Sequence, residues 1–233
     1  MEPLSPTKKI NALKLVEVIE PAVKGTLNVL KACVEAKVKR VVVVSSRGAV
    51  AFNPRWPVGQ IKDEACWSDK EHCAATKNWY CLSKTEAESE AFEFAKSSGL
   101  DVVTVCPSLI LGPLLQPAIN ASSLALVRLL KVEFKVRMIV DVRDVAEALL
   151  LVYEKAEAEG RYICMAHLTN PCDPVGKLRS IFPQYDYPKR FIEGGEEDIL
   201  NSEKLQRLGW SYRPLEETLV DSTESYKKAG ILD

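Results

Sequence analysis

Residues 38–46 read VKRVVVVSS, with four valines in a row at 41–44 and no polar residue among them. A strand with one wet face alternates apolar and polar side chains, so a run apolar at every position belongs in a sheet covered on both faces. Sheets of that kind are parallel, and parallel neighbours are joined by helical crossovers. The flanking sequence offers such helices. From Ile10 to Ala36, apolar residues recur at helical spacing through Leu13, Val16, Ile19, Val23, Leu27 and Leu30. A loop with Pro54, Pro57 and Gly59 fills residues 47–74, and a second helix is expected from about Asn78 to Ser97, with Gly99 as its C-cap.

The alternation continues. LDVVTVCP, residues 100–107, reads as a second buried strand stopped by Pro107. A helix near 120–131, a short strand ending in MIVDV and a helix over DVAEALLLVYEKA follow. Beyond Gly160, RYICMA reads as a strand, and CDPVGKLRSIF and NSEKLQRLG as short helices. Strands alternating with helices predict an α/β fold, a doubly wound parallel sheet followed by a smaller C-terminal region.

Composition excludes several function classes. Apolar residues make up 47% of the 233 residues and charged residues 27%, which fits a globular chain. The net charge of −1, with both signs mixed, gives neither nucleic acid nor an anionic membrane anything to hold. Apolar runs such as ALLLVY are too short to span a bilayer. The opening MEPLSPTKKINALK has no apolar signal core, and the seven cysteines are odd in number with no C-x-x-C among them. A cytoplasmic protein is expected, and the N-A-S sequon at Asn120 has no meaning there.

The chemistry concentrates at NWYCLSK, residues 78–84. Tyr80 and Lys84 lie one helical turn apart and point the same way. A phenol ionises near pH 10, so proton transfer near neutrality calls for an adjacent cation that favours the phenolate. A second pair at that spacing, Tyr185 and Lys189, has Pro188 between its members, which disfavours a helix there. Ser45 and Ser46 end the valine strand, and ligands of open α/β sheets sit beyond the carboxyl ends of strands. A hydroxyl at that rim can hold a carbonyl while Tyr80 moves the proton. CPSLILGP brings Pro107, Ser108, Leu109 and Ile110 to the same rim as a wall.

Other constellations are weaker. No G-x-S-x-G elbow is present and the histidines are only His72 and His167, against a serine hydrolase. Cys66, His72, Cys73 and Cys81 lack paired zinc-ligand spacing, so no metal site is expected. Asp144 in VDVRDVAEA reads as a helix N-cap ion-paired with Arg143.

VVSSRGAV, NWYCLSK, VCPSLILGP and VDVRDVAEA together resemble the extended short-chain dehydrogenase/reductases. Within them the chain is similar to the plant cinnamoyl-CoA reductase and dihydroflavonol reductase group, and DEACWSDKEHC, EGRYIC and KLQRLGW follow that group's pattern. The resemblance runs from about Val18 to Asp233. It implies a partial NAD(P)-binding Rossmann-type domain over 1–165 and a substrate-binding region over 166–233. It also implies that Ser46 orients a carbonyl, Tyr80 donates the proton, and Lys84 holds the nicotinamide ribose and favours the tyrosinate. Pro107, Ser108, Leu109 and Ile110 would line the nicotinamide, and Ser122 would contact the phosphate region. The implied reaction is hydride transfer from NADPH to a carbonyl or acyl thioester of a phenylpropanoid-like, aromatic substrate. Cys73 and Cys81 correspond to cysteines proposed as a redox pair in related reductases; two reduced thiols are the other reading.

Two departures stand out. Leu82 and Ser83 occupy positions where cinnamoyl-CoA reductases have Tyr-Gly. None of the eleven glycines forms G-x-G-x-x-G or G-x-x-G-x-x-G, the turn that cradles a dinucleotide pyrophosphate. The expectation is an N-terminally truncated Rossmann-type sheet with weakened NADP binding, in which RVVVVSS forms an exposed edge open to self-association. The alternative is a catalytically silent fragment that binds a full-length relative.

Overall fold

The structure, a computed structural model, describes residues 15–131, 138–170, 172–185, 187 and 199–232. A π-helical turn (Leu15–Ile19) leads into α1 (Glu20–Glu35), β1 (Arg40–Val44) and a 3-10 turn (Arg47–Ala49). Then come α2 (Lys70–Ala75), α3 (Trp79–Ser98), β2 (Asp101–Pro107), β3 (Leu109–Leu111), α4 (Ala121–Lys131) and β4 (Met138–Asp141). The order closes with α5 (Val142–Glu154), β5 (Gly160–Cys164), β6 (His167–Leu168), α6 (Cys172–Ile181), α7 (Glu203–Arg207) and α8 (Leu215–Lys228). Two compact units result, each drawn from two chain segments: one runs to Cys106 and takes in Val152–Ile163, the other comprises Pro107–Leu151 and the chain from Cys164.

In the first unit the sheet order is β1-β2-β5, with β1 and β2 parallel and Val42 opposite Val103. β2 is central and buried at every position after Asp101. β1 departs from the expected cover on both faces. Arg40 to Val43 are only half-buried and Val44 is 47% exposed, because β1 ends the strand order. Among the described residues no strand pairs with its other edge. Val41 and Val43 turn to a helix layer, where Leu30 of α1 and Ala91 of α3 pack with Leu100 and Val102. Arg40 anchors the strand's start, donating to Asp101 Oδ2 at 2.7 Å, Val152 O at 3.0 Å and Ala158 O at 3.1 Å.

The helices start and stop where their caps dictate. Pro21 sits in the first turn of α1, where its missing N–H breaks no hydrogen bond. Asn78 Oδ1 accepts from Cys81 N–H at the head of α3, and Gly99 closes it at φ 73°, a left-handed conformation that suits glycine. α2 was not expected inside the 47–74 loop. Asp69 caps it by accepting from His72 N–H at 2.8 Å, a bond that holds the Asp69 carboxyl below its ordinary range.

In the second unit β3 is parallel to β4 and β4 antiparallel to β6, with Ile110 opposite Val140 and Ile139 opposite His167. Leu111, Leu126, Ile139, Leu178, Leu219 and Tyr226 form its core. α8, which supplies Leu219 and Tyr226, lies in sequence read as irregular. Asp144 is not paired with Arg143 as expected: its carboxylate bonds Arg213, while Arg143 binds Asp141 at 2.8 Å and Asp221 at 2.7 Å. Burial of Asp141 works against its charge, but the Arg143 bonds outweigh it and the carboxyl sits below its ordinary range. The Lys189 of the second Tyr/Lys pair lies outside the described residues.

The helix layer of the first unit makes a sharp comparison of neighbours possible. Leu30 is 1% exposed and Val29 60%. Leu30→Ala is expected to cost about 2–5 kcal/mol in urea unfolding, while Val29→Ala stays within about 0.5 kcal/mol. Equal losses would contradict the packing described.

Candidate active site

Ser46 follows the last strand residues of β1 in extended backbone and caps the turn Arg47–Ala49, its Oγ accepting from Gly48 N–H at 3.0 Å. That bond uses a lone pair, and the hydroxyl keeps its proton as a donor. Ser68 secures the same turn, donating from Oγ to Gly48 O at 2.8 Å and from N–H to Ala49 O at 2.9 Å. Across from it, the first turn of α3 presents Tyr80, 56% exposed. Lys84, one turn further on, brings Nζ to 3.5 Å from Val44 O at the carboxyl end of β1.

Gly48 marks where these side chains meet. A Cβ built on it would lie 3.1 Å from Cys81 Sγ, 3.4 Å from Ser46 Oγ and 3.4 Å from Tyr80 Cε1. Glycine is there for space. The structure thus gathers Ser46, Tyr80 and Lys84 around the end of β1, while Gly48, two residues past Ser46, escaped the sequence reading.

The remaining predicted residues belong to the second unit. Pro107 closes β2 and is buried; Ser108 is buried with its N–H on Cys164 O at 3.0 Å and its Oγ without a protein partner. Leu109 and Ile110 are half-buried in β3, opposite Ile139 and Val140. Ser122 is half-buried in the first turn of α4, where Asn120 Oδ1 accepts from Ser123 N–H at 2.8 Å. Among the described residues no cluster of His, Cys, Asp or Glu is arranged to hold a metal ion.

Cys73 and Cys81 are buried with Ile19 and Leu82 in one apolar cluster, and both are free thiols. Burial, then the neighbouring Cys73, pushes the Cys81 thiol up to about 11; burial also raises Cys73. Leu82 belongs to this cluster, and buried Ser83 returns its hydroxyl to Tyr80 O at 2.8 Å.

Comparison with known proteins bears on the family and the fold. A family model described as the NAD dependent epimerase/dehydratase family matches residues 6–164. Cinnamoyl-CoA reductase 2 of Medicago truncatula is 41% identical over 225 residues, covering 93% of this chain and 67% of that protein. Vestitone reductase from alfalfa (Medicago sativa L.) is 30% identical with a TM-score of 0.82, over 98% of this chain and 75% of that one. Yeast methylglyoxal/isovaleraldehyde reductase Gre2, solved with NADPH, is 25% identical with a TM-score of 0.80, over 94% and 73%. An α/β sheet of this kind, with sequence relatives of this kind, defines the class of extended short-chain dehydrogenase/reductases. The chain belongs to the NAD dependent epimerase/dehydratase family, and its sequence relatives include plant cinnamoyl-CoA reductases.

The buried thiols lead to a labelling order. With iodoacetamide at pH 8, exposed Cys172 is expected to react first, and Cys73, Cys81 and Cys106 last, since burial holds their thiols protonated. Mass spectrometry of timed samples reads the order, and early labelling of Cys81 would contradict the site as described.

Proposed function

We propose that the chain is a cinnamoyl-CoA reductase-like, NADP-dependent reductase of a phenylpropanoid-like carbonyl or acyl thioester, with Ser46, Tyr80 and Lys84 as its reacting set. The observation that carries this reading is the meeting of Ser46 Oγ and the Tyr80 ring at Gly48, with Lys84 one turn along the same helix. Ser46 donates to the substrate carbonyl oxygen and holds it against Tyr80. Tyr80 passes its phenolic proton to that oxygen as negative charge gathers there. The Lys84 ammonium, one turn along the same helix, places a cation at the end of β1 beside that set.

The residues fit the nicotinamide end of a dinucleotide. In the first unit Tyr80 is open to solvent and Lys84 stands at the strand end to meet the ribose. The family resemblance assigns the nicotinamide wall to Pro107, Ser108, Leu109 and Ile110 and the phosphate-side contact to Ser122, and within the second unit Ser108 Oγ is a buried hydroxyl with no protein partner. A bound nicotinamide supplies the hydride. No glycine turn of pyrophosphate-binding spacing occurs in the 233 residues, so NADPH binding by this chain is weaker, by orders of magnitude, than in a relative carrying that turn. Leu82 and Ser83, in place of Tyr-Gly, count against activity on CoA thioesters.

Absorbance at 340 nm tests the reading, with NADPH and either an aromatic ketone or a cinnamoyl-CoA thioester. Consumption that Tyr80→Phe abolishes is the expected result, and an unchanged rate in Tyr80→Phe removes the mechanism.

The open edge of β1 favours a second reading, in which the chain pairs with another strand: a second copy, or a full-length relative to which a catalytically silent chain adds itself. Val42→Lys places a charge on that edge. Light scattering is expected to show a larger monomer fraction in the variant, and a wild-type chain already wholly monomeric would refute self-association.

A further inference from the structure

Glu88 of α3 and Arg161 of β5 are both buried, and Arg161 Nε lies 2.8 Å from Glu88 Oε1. Neither carried a signal in the sequence. The carboxylate also accepts from Ser45 Oγ and from Thr104 Oγ1, each at 2.6 Å. The guanidinium donates to Cys66 O at 2.7 Å, Glu64 O at 3.0 Å and Ala49 O at 3.1 Å, and lies 3.6 Å over the Trp67 ring.

Two of these bonds flank the Ser46 turn. Ser45 immediately precedes Ser46, and Ala49 ends the turn that Ser46 caps. One ion pair therefore fastens the segment at both ends, Glu88 through the Ser45 hydroxyl and Arg161 through the Ala49 carbonyl. Between those points a Cβ added to Gly48 would meet Cys81 Sγ at 3.1 Å and Ser46 Oγ and Tyr80 Cε1 at 3.4 Å, so the turn passes one methyl group's width from the tyrosine ring.

We infer that Glu88 and Arg161 are positioning residues, which set Ser46 against Tyr80 through Ser45 and Ala49. The inference rests on the reductase reading for its kinetic consequence, but its structural half does not. Glu88→Gln or Arg161→Met would leave a buried partner unmatched and confuse positioning with folding. The decisive comparison lies in the two hydroxyls on one carboxylate. Ser45→Ala and Thr104→Val each delete a 2.6 Å hydrogen bond to Glu88, yet only Ser45 leads into the Ser46 turn.

The protein is labelled with tyrosine carrying carbon-13 at both ε positions, and the Tyr80 signal is assigned by its absence in Tyr80→Phe. Ser45→Ala is expected to shift or broaden that signal, Thr104→Val to leave it in place, and Ser45→Thr to restore it. In the 340 nm assay Ser45→Ala lowers kcat about tenfold or more with KM for NADPH unchanged, as misplacement of a reacting group does, while Thr104→Val keeps the wild-type kcat. A chain with no measurable activity would overturn the reductase reading and leave the Tyr80 signal to decide the positioning. If Ser45→Ala and Thr104→Val move that signal equally, or neither moves it, the positioning role is overturned.

Discussion

The Glu88–Arg161 ion pair is the interaction on which the first unit depends. Two charges are held out of water, and such a pair is tolerable only when every remaining donor and lone pair finds a partner. Here they do, through two hydroxyls at 2.6 Å and three backbone carbonyls. Removing one partner of such a pair generally costs about 3–5 kcal/mol, because the other charge stays behind. That cost falls on a small unit with a partly open strand, so the polar core is as consequential as the apolar one. Its partners come from β1, α3, β2, β5 and the loop around Cys66, and the pair specifies how those pieces meet.

The residues of the proposed reacting set draw their order from the same pieces. Ser46 is placed by a strand end and a turn, Tyr80 and Lys84 by the capped first turns of α3, and α1 covers that helix through Leu30 and Ala91. The open edge at Val44 is a different physical matter. β1 keeps its register through β2 and its anchor through Arg40, so its hydrogen bonds on one side are enough to fix the strand. What that edge lacks, among the described residues, is a partner strand.

How much of this could be read from the chain follows from which signals are local. α3 was legible to within a residue because Asn78 and Gly99 are local caps, and Ser46, Tyr80 and Lys84 because helix spacing and a strand end are local too. α8 was missed although Pro214 precedes it, Glu216 and Glu217 open it and Lys227 and Lys228 close it. Its buried stripe is made partly of Thr218, Ser222 and Thr223, which read as polar surface; Ser222 and Thr223 return their hydroxyls to the carbonyls of Thr218 and Leu219. The cover of β1 was misjudged for another reason. Periodicity reports what a strand could bury, while strand order decides what it does bury, and order is not a local property.

Glu88 shows the limit most clearly. In KTEAESEAFEFAK it is one of four glutamates on a helix, and a charged residue in such a run is ordinarily solvated. Only the approach of Arg161, 73 positions away in sequence, turns it into a core residue. The same holds for Gly48, whose importance lies in what stands beside it: its φ is not one that demands glycine, and a methyl group there would meet a sulfur, a hydroxyl and an aromatic ring at once. Residues that react can be found from their chemistry. Residues that hold them in place are defined by their neighbours, and the neighbours are what folding supplies.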